Sequence, residues 1–151
     1  MPVIESMLEQ CILKEIMWSP CNSPIMGLQK PNGKWKIVQD IRRINQIVLP
    51  CCPIVPNPAV ILFQIPCDAE WFTATDLCQA FFSVPLAEES QFLFLFRFRD
   101  KILMWFCVPQ GYTESPSIFN QFLKKNLETI VLPGNSVLVQ YIDDLLDQGP
   151  E

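Results

Sequence analysis

The residues best suited to chemistry in this chain are aspartates. Asp143 and Asp144 stand side by side at the end of the apolar stretch LVQYIDDLLDQG, and Asp76 lies near the end of a second stretch, EWFTATDL. Adjacent carboxylates repel each other, so such a pair either opens a surface turn or holds a cation. If the two stretches are neighbouring strands of one sheet, three carboxylates converge on one edge, where hard oxygen ligands suit Mg²⁺. A pair of such ions about 4 Å apart is a standard device for in-line phosphoryl transfer. Side chains alternate along a strand, so Asp143 and Asp144 cannot both face one metal from a regular strand. A turn is therefore predicted there, with unequal roles for the two residues. On spacing alone the plainer reading is favoured: an exposed Asp-Asp turn, with Asp76 an unrelated strand-end residue.

Composition limits the alternatives. The chain has 151 residues, half of them hydrophobic, and no histidine. Ser-His-Asp and Cys-His catalysis are thereby excluded, and a zinc site is disfavoured. The seven cysteines are odd in number and form no C-x-x-C pair. The N-terminal MPVIESMLEQ lacks the basic region of a secretory signal, so the reading expects an intracellular, cytoplasmic chain with reduced thiols. No apolar run approaches the roughly 18 residues of a membrane helix. The net charge of −5 argues, by itself, against a nucleic-acid partner, because phosphate contacts supply most of such affinity.

The elements that would position the aspartates follow from pattern. An amphipathic helix is expected over 3–16, and a β-hairpin over 25–40 around Asn32-Gly33, with Lys30, Lys34 and Lys36 near its tip. The proline-dense LPCCPIVPNP (49–58) reads as a linker, after which Asn57 caps a short helix with Pro58 in its first turn. Strands are expected at 70–77, 91–98 and 101–108, the last two joined at Arg99-Asp100. A helix over 115–130 is capped by Ser115 and stopped by Leu132-Pro133-Gly134-Asn135, and a strand returns over 136–142. The class is α+β with an antiparallel sheet.

The wording around the aspartates adds a resemblance. YIDD, VPQGYTESPSIF, FTATDLCQAFFSVPL and SPCNSPIMGLQKPNGKWKIVQDIRRIN, in that order, resemble the retroviral reverse transcriptases, closest to the gammaretroviral type and related endogenous pol elements. The match runs from about Met7 to Leu146. It implies the fingers (about 1–50 and 87–113) and palm (about 51–86 and 114–151) of a right-hand polymerase, with thumb, primer grip, connection and ribonuclease H regions absent. It implies two Mg²⁺ ions at Asp76, Asp143 and Asp144, a dNTP and an RNA or DNA template-primer as partners, and no membrane. Tyr141 and Ile142 complete the family's Tyr-x-Asp-Asp box. Phe81 falls where an aromatic under the incoming sugar excludes a 2′-hydroxyl, although core packing is the commoner fate of phenylalanine, and Phe82 is assigned to the core. Gln110 matches a contact to the incoming nucleotide, and Lys30 and Lys36 match cations that neutralise its triphosphate.

Departures from the family weaken phosphate binding. Lys36 stands where arginine is usual, which loses the bidentate fork. Gln79 stands where an aspartate is usual, Cys78 and Thr113 where lysines are usual, and Glu114 adds negative charge. After Leu146 the chain reads DQGPE instead of an apolar strand, and Pro150 is expected to cut the return strand short and leave the Asp-Asp turn mobile. The resemblance therefore leaves two functions open: nucleotidyl transfer in a fragment inactive by itself, or a non-catalytic remnant acting as a binding protein.

Overall fold

The computed structural model describes residues 2–49, 57–67, 69–132 and 136–149. Its contacts divide the chain into two compact units, Met1–Pro50 with Phe81–Ser115, and Cys51–Ala80 with Pro116–Glu151. The α+β class with antiparallel pairing holds, and the strands fall in three small sheets.

The first unit opens with helix α1 (Pro2–Glu9), which stops well short of the expected residue 16. Cys11 adopts φ +56°, its N–H bonds to Leu8 O at 3.1 Å, and the N–H of Ile12 bonds to Met7 O at 2.9 Å. This pair of bonds is a Schellman cap, made here without the glycine that usually marks one. Leu13–Ile16 then forms strand β1. It pairs with β6 (Lys101–Trp105), which also pairs with β5 (Leu95–Phe98), in the order β1-β6-β5. The expected strand at 91–98 begins late, because Glu88–Gln91 forms a short helix, α4, whose buried Gln91 side chain donates to Leu86 O.

The hairpin pairs β2 (Ile25–Gln29) with β3 (Trp35–Gln39). Its tip is a three-residue loop with Gly33 at φ +77°. The loop is closed by Gly33 N–H to Lys30 O and Lys30 N–H to Lys34 O, a turn that needs a left-handed residue. Helix α2 (Arg42–Ile47) follows. Ile4, Leu13, Ile37, Ile44, Phe94, Phe96, Leu103 and Trp105 close the core of this unit, and Phe82 packs against it, stacked on Trp105 at 5.4 Å. Each such side chain contributes about 1.5–3 kcal/mol by leaving water.

The second unit holds α3 (Pro58–Leu62), capped as expected by the Asn57 side chain accepting from the N–H of Ala59 at 2.9 Å. It also holds most of α5 (Ser115–Leu127) and a sheet of β4 (Trp71–Asp76), β7 (Val137–Tyr141) and β8 (Asp144–Gly149). Most of the 49–58 linker and the Pro133-Gly134-Asn135 stop lie outside the described residues. The sheet order is β4-β8-β7, so the strand after Asp144 is the central one. The expectation of a broken return strand is thus corrected. β8 runs six residues to Gly149 and pairs along its length with β4. Gly149 suits its place because a Cβ would stand 2.7 Å from the Trp71 ring opposite it.

Candidate active site

Register brings the aspartates together at the backbone. Asp76, the last residue of β4, stands directly opposite Asp144, the first of β8, and Asp144 is also paired with Tyr141. Directly opposed residues share a sheet face, so Asp76, Asp144 and Tyr141 project from one side. Like charges so placed are unfavourable. Ile142 and Asp143 form the turn between β7 and β8, and the N–H of Leu77 donates to Asp143 O at 3.0 Å. That bond ties the backbone just beyond Asp76 to the turn itself.

The turn is unusual in its own geometry. Ile142 has φ +54°, a left-handed conformation that a β-branched residue enters at a cost. Strain of this kind, typically about 1–3 kcal/mol, persists only where neighbours over-determine the backbone. Here Gln140 is one such neighbour. Its amide nitrogen donates to Asn120 Oδ1 at 2.9 Å and lies 3.4 Å from Ile142 O, joining α5, β7 and the turn. Sequence reasoning missed Gln140 and the handedness of Ile142. An amide beside an acidic turn was the one available signal.

Asp76 and Asp144 are exposed, and Asp143 is half-buried. Their donor chemistry fits a hard divalent cation. Among the described residues, however, no three carboxylate or thiolate groups stand close enough to hold a metal as the side chains lie. The backbone positions are gathered; the carboxylates themselves are not.

The other predicted residues belong to the first unit, apart from Tyr141. Lys36 and Gln110 line one cavity of about 620 Å³, together with Ile37, Arg42, Asn45 and Gly111. Lys30 is exposed at the hairpin tip and does not line that cavity. Phe81 is half-buried in a 3₁₀ turn, Ala80–Ser83. Two positioning residues were not foreseen. Buried Gln39 donates to Leu95 O at 3.0 Å and accepts from Trp105 Nε1 at 2.7 Å, which anchors β3 beside Lys36. Asn45 donates to Gly111 O at 3.0 Å and accepts from Thr113 N–H at 3.1 Å, bracing the loop that carries Gln110. The Arg42 guanidinium, hydrogen-bonded to Asp40 at 2.6 Å, holds that carboxyl down to about 2.

A model of the reverse transcriptase (RNA-dependent DNA polymerase) family matches residues 28–147. The chain belongs to the reverse transcriptase family. It is 38% identical over 146 residues to the Gag-Pol polyprotein of Walleye dermal sarcoma virus, covering 96% of this chain and 8% of that protein. With the Gag-Pol polyprotein of Feline leukemia virus the identity is 40% over 153 residues, covering 96% and 9%. With the Pol polyprotein of Feline endogenous virus ECE1 it is 38% over 157 residues, covering 99% and 15%. The chain thus spans a small part of the length of these relatives. Among solved structures, the foamy viral protease-reverse transcriptase in complex with dsDNA superposes with a TM-score of 0.81 at 29% identity, covering 99% of this chain and 30% of that one. Its counterpart in complex with an RNA/DNA hybrid gives 0.80 at 27% identity, covering 99% and 19%. This reverse transcriptase domain therefore has the α+β fingers-and-palm architecture of a right-hand polymerase.

Proposed function

We propose that this reverse transcriptase domain carries the nucleotidyl-transfer site of an RNA-directed DNA polymerase, and that the 151 residues have little or no activity by themselves. The observation that carries the first part is the pairing of Asp76 directly opposite Asp144, with Asp143 in the adjoining turn. A like-charge pair on opposed strand positions is costly without a cation. Divalent cations held by Asp76, Asp143 and Asp144 would activate a primer 3′-hydroxyl and screen the leaving pyrophosphate. In this reading Tyr141 flanks the carboxylates, Lys30 and Lys36 neutralise the dNTP triphosphate, and Gln110 contacts its sugar and base. The half-buried ring of Phe81 excludes a 2′-hydroxyl. The template-primer is RNA or DNA, in keeping with the dsDNA and RNA/DNA hybrid bound by the foamy viral relatives.

The second part rests on charge and on grip. The reaction needs the primer oxygen held about 3–3.5 Å from phosphorus, and small misplacements cost about a hundredfold. Net charge −5 opposes phosphate binding, and Lys36, Cys78, Thr113 and Glu114 depart from the family toward weaker phosphate contact. The test is a chimera in which this chain is joined to a retroviral thumb and connection. It should extend a primer on an RNA template with Mg²⁺, and Asp76→Asn, Asp143→Asn or Asp144→Asn should each abolish extension. A folded chimera that binds template-primer without extending it would refute the assigned site. The unfused chain should not exceed its Asp143→Asn blank, and clear extension above that blank would overturn the claim of inactivity.

A further inference from the structure

Two cysteines outside the proposed site are brought together by the β1–β6 ladder. Leu13 is paired with Trp105, and the ladder continues one step further through Phe106 N–H to Ile12 O at 2.9 Å. The next opposed positions in that register are Cys11 and Cys107. One step beyond that hydrogen bond the two chains still run side by side, although the left-handed Cys11 ends the regular ladder there, and a disulfide needs Cα atoms roughly 4.4–6.8 Å apart. Both residues are free thiols, Cys11 exposed and Cys107 partly buried.

The backbone on each side is fixed. Cys11 is the left-handed residue of the Schellman cap, held by its N–H to Leu8 O. Cys107 forms a bridge with Pro85, between Leu86 N–H to Phe106 O and Val108 N–H to Val84 O. Burial raises the Cys107 thiol, and the neighbouring Cys11 raises it further.

We propose that Cys11 and Cys107 form a reversible dithiol–disulfide pair, oxidised by exchange with a small-molecule disulfide. The exposed Cys11 thiolate attacks one sulfur of the reagent, forming a mixed disulfide and releasing one thiolate. Cys107, as its thiolate, then attacks the Cys11 sulfur, forms the intramolecular bond and releases the second. The two cysteines lose two electrons to the reagent, and their two protons leave on the two thiols released. Such a bond would join the α1–β1 junction to the strand end leading into Val108, Pro109 and Gln110. The pair stands independently of the polymerase reading.

The experiment treats the native chain with oxidised glutathione, traps remaining thiols by alkylation, and maps cross-links by peptide mass spectrometry. The expected result is one dominant link between the Cys11 and Cys107 peptides, reversed by dithiothreitol. That preference should vanish in urea. Cys11→Ser and Cys107→Ser should each abolish the link. A chain with Cys21, Cys51, Cys52, Cys67 and Cys78 all replaced by serine should still close it. Persistence of Cys11 as a glutathione mixed disulfide, or native cross-links distributed as in urea, would overturn the proposal. Should the five-fold variant not fold, the mapping on the native chain decides.

Discussion

The carboxylate of Asp40 accepts from the Arg42 backbone N–H and is gripped by its guanidinium. Its pKa falls from 3.8 to about 2, chiefly through the side-chain hydrogen bond. A depressed carboxylate contributes stability above its unfolded value, and that contribution is lost as pH falls from about 3.8 through about 2. Arg42 is exposed and Asp40 only half-buried, so the effect of the pair on stability is small. The expected outcome is an NMR titration midpoint for Asp40 near 2, returned toward the ordinary carboxylate range by Arg42→Ala. Asn45 offers a second residue-scale outcome. Its side chain makes one bond to Gly111 O and one to Thr113 N–H, so Asn45→Ala strands both partners of the Gln110 loop. A loss of about 1–2 kcal/mol in urea unfolding is expected, with Asn45→Asp restoring the acceptor half alone. The sequence pointed to Gln110 because it stands in a motif. It was silent on Asn45, whose partners lie 66 and 68 positions away.

Two buried glutamines behave oppositely within their strands. Gln39 in β3 has its amide nitrogen and oxygen both bonded, whereas Gln148 in β8 is 0% exposed and neither amide atom has a partner among the described residues. Removing one member of a buried bond costs the desolvation of the other, while replacing an unpaired amide by an apolar group removes a penalty. Gln39→Leu should therefore destabilise by about 1–3 kcal/mol, since Trp105 loses its acceptor. Gln148→Leu should be neutral or stabilise by up to about 2 kcal/mol, and denaturant midpoints measured side by side would check both signs. Elements marked by local chemistry were legible in the sequence: the Asn32-Gly33 hairpin, the Asn57-Pro58 cap and the aspartates at strand ends. Those decided by tertiary bonds were not. A Schellman cap without glycine ended α1 early, buried Gln91 accompanies α4 in a strand-like run, and cross-strand pairing carried β8 through an unpromising DQG.

At the scale of the whole chain the two units differ in how they bury their strands. In the first, Leu95, Phe96 and Leu103 are nearly inaccessible, and Ser23 N–H and Asn22 Oδ1 bond to the edge strand β5. In the second, every residue of β4 is exposed, including Phe72 and Thr73. Strands with few buried contacts open locally at lower free energy. Amide exchange should accordingly be slower in β5 and β6 than in β4, although all three are paired. Comparable protection in Trp71–Asp76 would show that the second unit opens only with global unfolding. The fold class was readable because four motifs in order carried it. The distribution of burial between units was not, because the Trp71-Phe72 pair that opens β4 gives no local sign of exposure.

The left-handed backbone at Ile142 also has a stereochemical meaning. An L-amino acid in this basin brings its Cβ too close to the following carbonyl, and the mirror-image residue does not. At this one position beside the aspartates, the chain is built from the enantiomer that fits less well. A chain assembled by chemical ligation with D-alanine at 142 should keep the β7–β8 register and unfold at a higher temperature than its L-alanine twin. That comparison isolates handedness, since the two molecules have the same atoms and connectivity.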